Sequence, residues 1–317
     1  MEILDQTRLV GRRTTGGRRS IIRPRLAYRL QLGLMLAPYL IGLVLLIVLP
    51  AAIGLPLAFF DYDAIRPAEW VGLDNFRALW RDPIFRKSIE STAIFVAMAV
   101  PARLIGALLL ALLLVRPFRG SGAYRATAYL PTVVPDIAWA IVWLWILNPL
   151  YGPINLLLGS VGLPQPAWML EERSAQVAIV VMLSWQIGEA FVVLLAALGD
   201  VPDEVLEQSS VDGASVIQTF FRVTLPLLAP VLLIVMLEDT VRLMTSSFVP
   251  AQIVGRDGGP NYATTFLPFY AYVEAFSYLR FGYAAAATWV LYGLTAGVLL
   301  LQYRLAVRWR LGFRDAD

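Results

Sequence analysis

Neither cysteine nor histidine occurs among the 317 residues. Without cysteine there are no disulfides and no thiol nucleophile. Without histidine the commonest general base and metal ligand is missing. Charge is scarce as well: 15% of the residues are Asp, Glu, Lys or Arg, against roughly 25% in soluble domains. Lysine occurs once, as Lys87 after Arg86, and a phosphate-cradling GxxxxGK[ST] loop needs Gly before its Lys, so ATP is not held that way. The chain is instead 58% hydrophobic with a mean hydropathy of +0.67, the composition of an integral membrane protein. Its net charge of +3 and pI of about 9.2 come from arginine. In a membrane protein that bias reports topology and not nucleic-acid binding.

Crossing the hydrocarbon core takes about 20 apolar residues. Six stretches qualify, near residues 32–60, 89–115, 124–147, 175–198, 225–250 and 284–307. The first starts behind an Arg-rich arm and is too long for a cleavable signal sequence. With the N-terminus inside, sixteen Lys and Arg fall in cytoplasmic segments and eight outside, which predicts that both termini are cytoplasmic. Residues 1–29 then form a polar cytoplasmic arm, 30–310 one transmembrane domain, and 311–317 a cytoplasmic tail. Outside loops cover 61–88, with a short interfacial helix expected near Trp80, and 148–174, where Asn148-Pro149, Tyr151-Gly-Pro153 and Pro164-Gln-Pro166 are turn formers. A third spans 251–282, with a sharp loop at Gly255-Arg-Asp-Gly-Gly-Pro260.

Between the fourth and fifth spans lies a polar island, Glu204-Val-Leu-Glu-Gln-Ser-Ser-Val-Asp-Gly-Ala214, followed by Leu225-Pro226 and Pro230. Pro202 and Asp203 start one short helix, and Gly213 breaks the chain before a second. Gly213 tolerates positive φ, and Asp212 is expected to cap the following helix. Ile217, Phe220, Phe221 and Val223 give that helix an apolar side to rest on the membrane domain.

This segment resembles the cytoplasmic signature of permease subunits in binding-protein-dependent ABC importers, in which Glu-Ala-Ala is followed by Asp-Gly-Ala and, about ten residues on, by Leu-Pro. Glu207, Asp212, Gly213, Ala214, Leu225 and Pro226 match, while Gln208 and Ser209 replace the two alanines. Val71-Gly-Leu-Asp-Asn-Phe76, Arg116-Pro-Phe-Arg-Gly120, Tyr129-Leu-Pro131, Asn148-Pro-Leu-Tyr-Gly152 and Gly258-Gly-Pro-Asn261 are similar to the maltose and glycerol-phosphate permease branch, over roughly residues 30–310. The resemblance implies an all-α integral membrane fold of six transmembrane helices with a cytoplasmic coupling helix, the type I ABC importer permease fold. It implies that residues 202–224, with Glu204, Glu207, Gln208, Ser209, Asp212, Gly213 and Ala214, dock on a separate ATPase. The chain itself would be no enzyme and hold no cofactor, ATP and Mg belonging to the ATPase. The implied partners are a second permease, two ATPase subunits, an extracytoplasmic binding protein and a carbohydrate, in a bacterial or archaeal cell membrane.

Arg103, Glu189, Glu238, Asp239 and Arg242 fall within spans, where an ionised side chain costs about 2.5–3.5 kcal/mol and needs a partner or a wet cavity. Glu238 and Arg242, four apart on one helix, can pair. Arg103 can reach Glu189 or Asp239. Such groups either bind sugar hydroxyls along a translocation path or fix helix packing, and the three acids argue against a strongly anionic substrate. Trp139 and Trp143, four apart, can line a sugar site, although Trp139 and Trp145 suit the interfacial belt better. Trp143 and Trp185 lie deeper and are the stronger path candidates. A proton-coupled carrier working through Glu189 or Glu238 is the alternative, and it leaves the polar island without a role. A membrane-embedded transferase lacks a catalytic constellation.

Overall fold

The computed structural model describes residues 24–255 and 258–314. Most of the N-terminal arm, Arg256 and Asp257 of the third outside loop, and the last three residues lie outside them. The chain divides into two units, one ending at Ile53 and the other beginning at Gly54.

The first unit holds α1 (Pro24–Leu43), a π-helical turn (Val44–Val48) and most of α2 (Leu49–Gly54). None of its described residues is buried. The π turn has a local cause. Pro50 cannot donate to Leu46 and its ring would press on that carbonyl, and the helix widens just before it, with the Leu49 amide bonding Val44 O.

The second unit opens with a 3-10 turn (Leu55–Phe59) and a two-residue antiparallel pair, β1 (Phe60–Asp61) with β2 (Glu69–Trp70), in register Phe60↔Trp70. This pair is the one departure from an all-helical reading among the described residues. Asp63 closes the intervening loop, accepting from the Ile65 and Arg66 amides and from Arg66 Nε. The Arg66 amide and guanidinium and the Ile65 amide hold the Asp63 carboxyl down at about 2. The expected short helix near Trp80 is α3 (Asp74–Arg81).

Asp82 then caps α4 (Pro83–Leu114) through the Ile84 amide at 2.8 Å. Its other oxygen accepts from the hydroxyls of Tyr270 and Tyr283 at 2.7 and 3.2 Å. Burial pushes this carboxyl up, but the Tyr270 hydroxyl and the two cap amides outweigh it and leave it below the usual carboxylate range. On α4, Ala99, Arg103, Ala107 and Ala111 recur every four residues and are all buried. They form one helix face, small enough for neighbouring helices to approach and interrupted by a single arginine.

The third and fourth spans are broken. α5 (Ser121–Val133) and α6 (Asp136–Ile146) meet at 99°, and α8 (Glu172–Ser184) and α9 (Gly188–Gly199) at 51°. Pro135 explains the first break, since it pushes Val134 out of the helical region; Val134 has ψ 129°. At the second, Gly188 lies so close to Tyr129 and Thr132 of α5 that a Cβ would not fit, and its amide donates to Thr132 Oγ1. Between the two broken pairs lies α7 (Pro153–Ser160).

Next come α10 (Asp203–Val211) and α11 (Val216–Thr219), the latter running through a π turn (Phe220–Thr224) into α12 (Leu225–Ser246). The fifth span therefore begins earlier than expected, at Val216. This π turn repeats the first: it ends two residues before Pro226, and the Leu225 amide bonds Phe220 O. The chain ends with α13 (Phe248–Gly255), α14 (Leu267–Tyr272) and α15 (Phe281–Arg314). The core of the unit is built on α4, with Phe95 stacked on Phe266 (ring centroids 4.5 Å apart) and Phe191, Leu194 and Leu228 fully buried beside its alanine face.

Candidate functional site

The polar island folds as two helices joined by a closed turn. At the end of α10 the Gly213 amide bonds Ser210 O and the Ala214 amide bonds Ser209 O. Gly213 has φ +77°. These are the two bonds of a Schellman stop, in which a left-handed residue lets the chain satisfy the last helical carbonyls. Asp-Gly-Ala is thus a C-terminal cap. Asp212 occupies the capping position of α10 and does not cap α11 as expected. That role falls to Ser215, the first extended residue after the stop (ψ 159°). Ser215 Oγ accepts from the Gln218 amide and the Gln218 side chain accepts from the Ser215 amide, a reciprocal capping box. Ser209 Oγ lies 3.0 Å from Thr219 Oγ1 and ties the two helices together.

Glu204, Glu207 and Gln208 share one exposed face of α10 with Val211, and Asp212 and Gly213 are exposed beside them. Ser209 and Ala214 are half-buried toward α11. The expectation that Ile217 and Phe221 rest on the membrane domain is not met: they are 70% and 56% exposed. Only Phe220 and Val223 turn inward. The short α11 ends before its apolar residues complete a face, and the π turn rotates those that follow.

The intramembrane charges sort into two pairs. Arg103, 4% exposed, directs Nε to both oxygens of Asp239 at 2.9 Å. Its remaining donors go to Gln186 O and to Leu183 O, which also accepts from the Gln186 amide, both at the break between α8 and α9. Arg103 thus reaches Asp239 and not Glu189, and it ties a broken helix to an intact one. Arg242 pairs with Glu189 across α9 and α12, and not with Glu238, which stays exposed one helical turn away. The packing of α9 against α12 brings Glu189 within reach of the guanidinium, while Glu238 points elsewhere.

Arg103 and Arg242 both line a small cleft, with Asp136, Trp139, Leu183, Gln186, Leu243 and Ser247. Its volume is about 30 Å³, room for two or three waters at about 10–15 Å³ each. Both helix breaks open onto it: Asp136 starts α6, and Gln186 sits between α8 and α9, with Gln186 Nε2 3.4 Å from Asp136 Oδ1. Trp139, expected in the interfacial belt, is instead buried here. Its Nε1 and the hydroxyl of Ser247 are buried with no hydrogen-bond partner among the described residues. Trp143 and Trp185 meet edge to face (6.3 Å between centroids) beside the cleft lining and not in it. Trp145 is exposed, as a belt residue should be. Sequence reasoning passed over Asp136, Gln186 and Ser247. The signal for Asp136 was available, because Pro-Asp inside an apolar run marks a helix start.

Comparison with known proteins agrees with this architecture. The family described as binding-protein-dependent transport system inner membrane component matches residues 103–311. A probable ABC transporter permease protein, YesP of Bacillus subtilis, is 34% identical over 278 residues, 86% of this chain and 89% of that one. The sulfoquinovosyl glycerol transport system permease SmoG of Agrobacterium fabrum is 31% identical over 87% of this chain and 90% of its own length. The sn-glycerol-3-phosphate permease UgpA of Yersinia enterocolitica is 33% identical over 76% and 81%. A solved bacterial ABC transporter that imports the acidic polysaccharide alginate has the same fold, with a TM-score of 0.76 over 90% of this chain and 97% of that one at 22% identity. A closed helix–turn–helix leading straight into a membrane span, two broken spans around a polar cleft, and these relatives together establish that the chain belongs to the inner membrane components of binding-protein-dependent transport systems, as a multi-pass transport subunit and not an enzyme.

Proposed function

We propose that this chain forms half of the translocation path of an ATP-driven importer for a carbohydrate delivered by an extracytoplasmic binding protein. Two separate ABC ATPase subunits supply ATP and Mg chemistry, and α10 with the Asp212–Ala214 turn is the element they move. Both termini are then cytoplasmic. The observation that carries this reading is continuity. The capped turn leads through α11 and the π turn into α12, and α12 carries Arg242 and Leu243 at the cleft and Asp239 on the Arg103 that lines it. A displacement of the α10–α11 pair therefore reaches the polar midplane along one helix. In the cycle, ATP binding draws the coupling helices of two permeases together and opens the path outward, and hydrolysis reverses it.

A cleft of about 30 Å³ holds waters and no sugar, which supports a second permease supplying the opposite wall. The unpartnered Trp139 N–H and Ser247 hydroxyl suit ligand hydroxyls, since a buried polar group left alone costs about 1–3 kcal/mol. They join Arg103, Asp239, Glu189, Arg242 and Glu238 as path residues, with Trp143 and Trp185 beside them.

Purification of the tagged chain from its native membrane in mild detergent tests the assembly. An ABC ATPase and a second permease are expected with it. Uptake should fail on ATP depletion and survive proton uncouplers; the reverse pattern would replace the importer with a carrier driven through the buried carboxylates. Ser247→Ala removes the unpartnered hydroxyl at the cleft with little change in volume, so it should raise KM for transport about tenfold, one hydrogen bond's worth, without lowering the unfolding midpoint.

A further inference from the structure

From Ile137 to Leu170 the chain carries no charged residue. The first part is α6, the second half of a broken span. The rest, residues 148–170, falls in the stretch 148–174 that was expected to be an outside loop carrying turn formers. Its structure is that of a rigid apolar element. Asn148 Oδ1 accepts from the Leu150 and Tyr151 amides. Gly152 sits against the backbone of Ile146 and Asn148 with no room for a Cβ. Asn155 is the hub: it is 3% exposed, donates to Pro149 O and Pro166 O, and accepts from Trp168 Nε1. Around this hub, Leu150, Leu156, Leu157, Val161 and Leu163 all point outward and are each more than half exposed.

We infer that α7 and its flanking turns are seated in the outer boundary of the bilayer, with acyl chains as the occupant of this leucine face. Three observations point to lipid. First, the C-terminal end of α7 is closed on itself, as hydrocarbon requires of a helix end. α7 ends in its own Schellman stop, the Gly162 amide bonding Gly159 O and the Leu163 amide bonding Leu158 O, with Gly162 at φ +73°. Second, the face offers little for a docking protein to bond: beyond the aliphatic side chains it holds the exposed carboxamide of Gln165 beside Gly159, with Tyr151 at its edge. A non-obligate protein interface carries about one hydrogen bond per 100–200 Å² and a polar rim. Here the hydroxyl of Ser160 is already spent on Leu157 O, and the flanking charges along the chain are Asp136 and Glu171. A soluble partner that comes and goes would also leave five aliphatic side chains in water between visits. Third, the face continues from a membrane-spanning helix, and the junction is marked by exposed Trp145 and Tyr151, the residue types of the interfacial belt. The short helix thus anchors the outer end of α6, one of the helices lining the cleft.

The chain is free of cysteine, so single labels are specific. A nitroxide is placed at Leu157→Cys and Val161→Cys, with Ile65→Cys in the charged β1–β2 loop as the water-exposed reference. The chain is assembled with its partner subunits, their own cysteines blocked, in phosphatidylethanolamine–phosphatidylglycerol liposomes. Collision with oxygen is compared with collision with a water-soluble nickel chelate. The oxygen-to-nickel ratio at 157 and 161 is expected to be several-fold above that at 65. A ratio equal to that at 65 places the face in water and overturns the inference. An immobilised label shielded from both agents places it under a protein subunit and overturns it equally.

Discussion

The Asp212–Ala214 turn and the cleft at Arg103 are built by opposite means. At the turn every structuring bond is short-range: Gly213 to Ser210, Ala214 to Ser209, and the Ser215–Gln218 box. The residues that shape it are exposed, and a Cβ on Gly213 would meet open space. At the cleft the decisive bonds join residues 136 and 80 positions apart, from Arg103 to Asp239 and Leu183, and the donors are buried. The first arrangement makes a rigid handle that can be pushed without being rebuilt. The second makes a polar seam between helices whose bonds must be re-sorted if those helices move. On the proposed function, drive and path are separated in the chain, and the π turn before Pro226 joins them.

The largest expected effect lies at the seam. Arg103→Met leaves Asp239 charged and buried and takes the donor from Gln186 O, a loss of about 3–5 kcal/mol for a broken buried pair. The thermal unfolding midpoint in detergent should fall steeply and the folded yield with it. Arg103→Met combined with Asp239→Leu should recover most of that loss, because the uncompensated charge is gone. A single mutant as stable as the parent would remove the pair from its structural role and return Arg103 to the path alone.

At the turn the expected effect is large on transport and small on folding. Proline is locked near φ −65° and cannot take the +77° of Gly213. Gly213→Pro should therefore reduce uptake to background while leaving membrane insertion and the unfolding midpoint near those of the parent. Gly213→Asn, which visits the left-handed region at a cost of about 1 kcal/mol or less, should keep most of the uptake. Normal transport by the proline variant would take the coupling role away from this turn.

The same contrast explains what the sequence disclosed. The turn was legible because Pro202, Asp203 and Gly213 act on the residues beside them. Even there Asp212 was misplaced, because a Schellman stop consumes two residues after the helix and pushes the next cap along to Ser215. The π turns were not read: Leu-Pro follows two of them, Val44–Val48 and Phe220–Thr224, while a third, Val273–Ser277, has no proline behind it. Around the cleft Asp136 was missed, Arg103 was offered its true partner Asp239 as one of two, and Arg242 was mispaired. Spacing along α12 brings Glu238 and Arg242 together on paper, and only the packing of α9 against α12 supplies Glu189. Trp139 was assigned to the belt because its depth depends on the 99° bend at Pro135, which no apolar run records.

The smallest expected effect separates the cap from the hinge. Ser215→Ala removes one N-cap acceptor from a four-residue helix, and such caps contribute about 1 kcal/mol. Because the box is reciprocal, Gln218→Leu should cost a similar amount and the double mutant little more than either alone. Hydrogen exchange at the Gln218 amide should quicken in Ser215→Ala, whereas the Gly213 and Ala214 amides, held by α10, should keep their protection. Uptake should fall only modestly, since the Schellman stop and the Ser209–Thr219 contact still orient the pair. If Ser215→Ala abolished uptake as Gly213→Pro is expected to, the start of α11 and not the end of α10 would transmit the stroke.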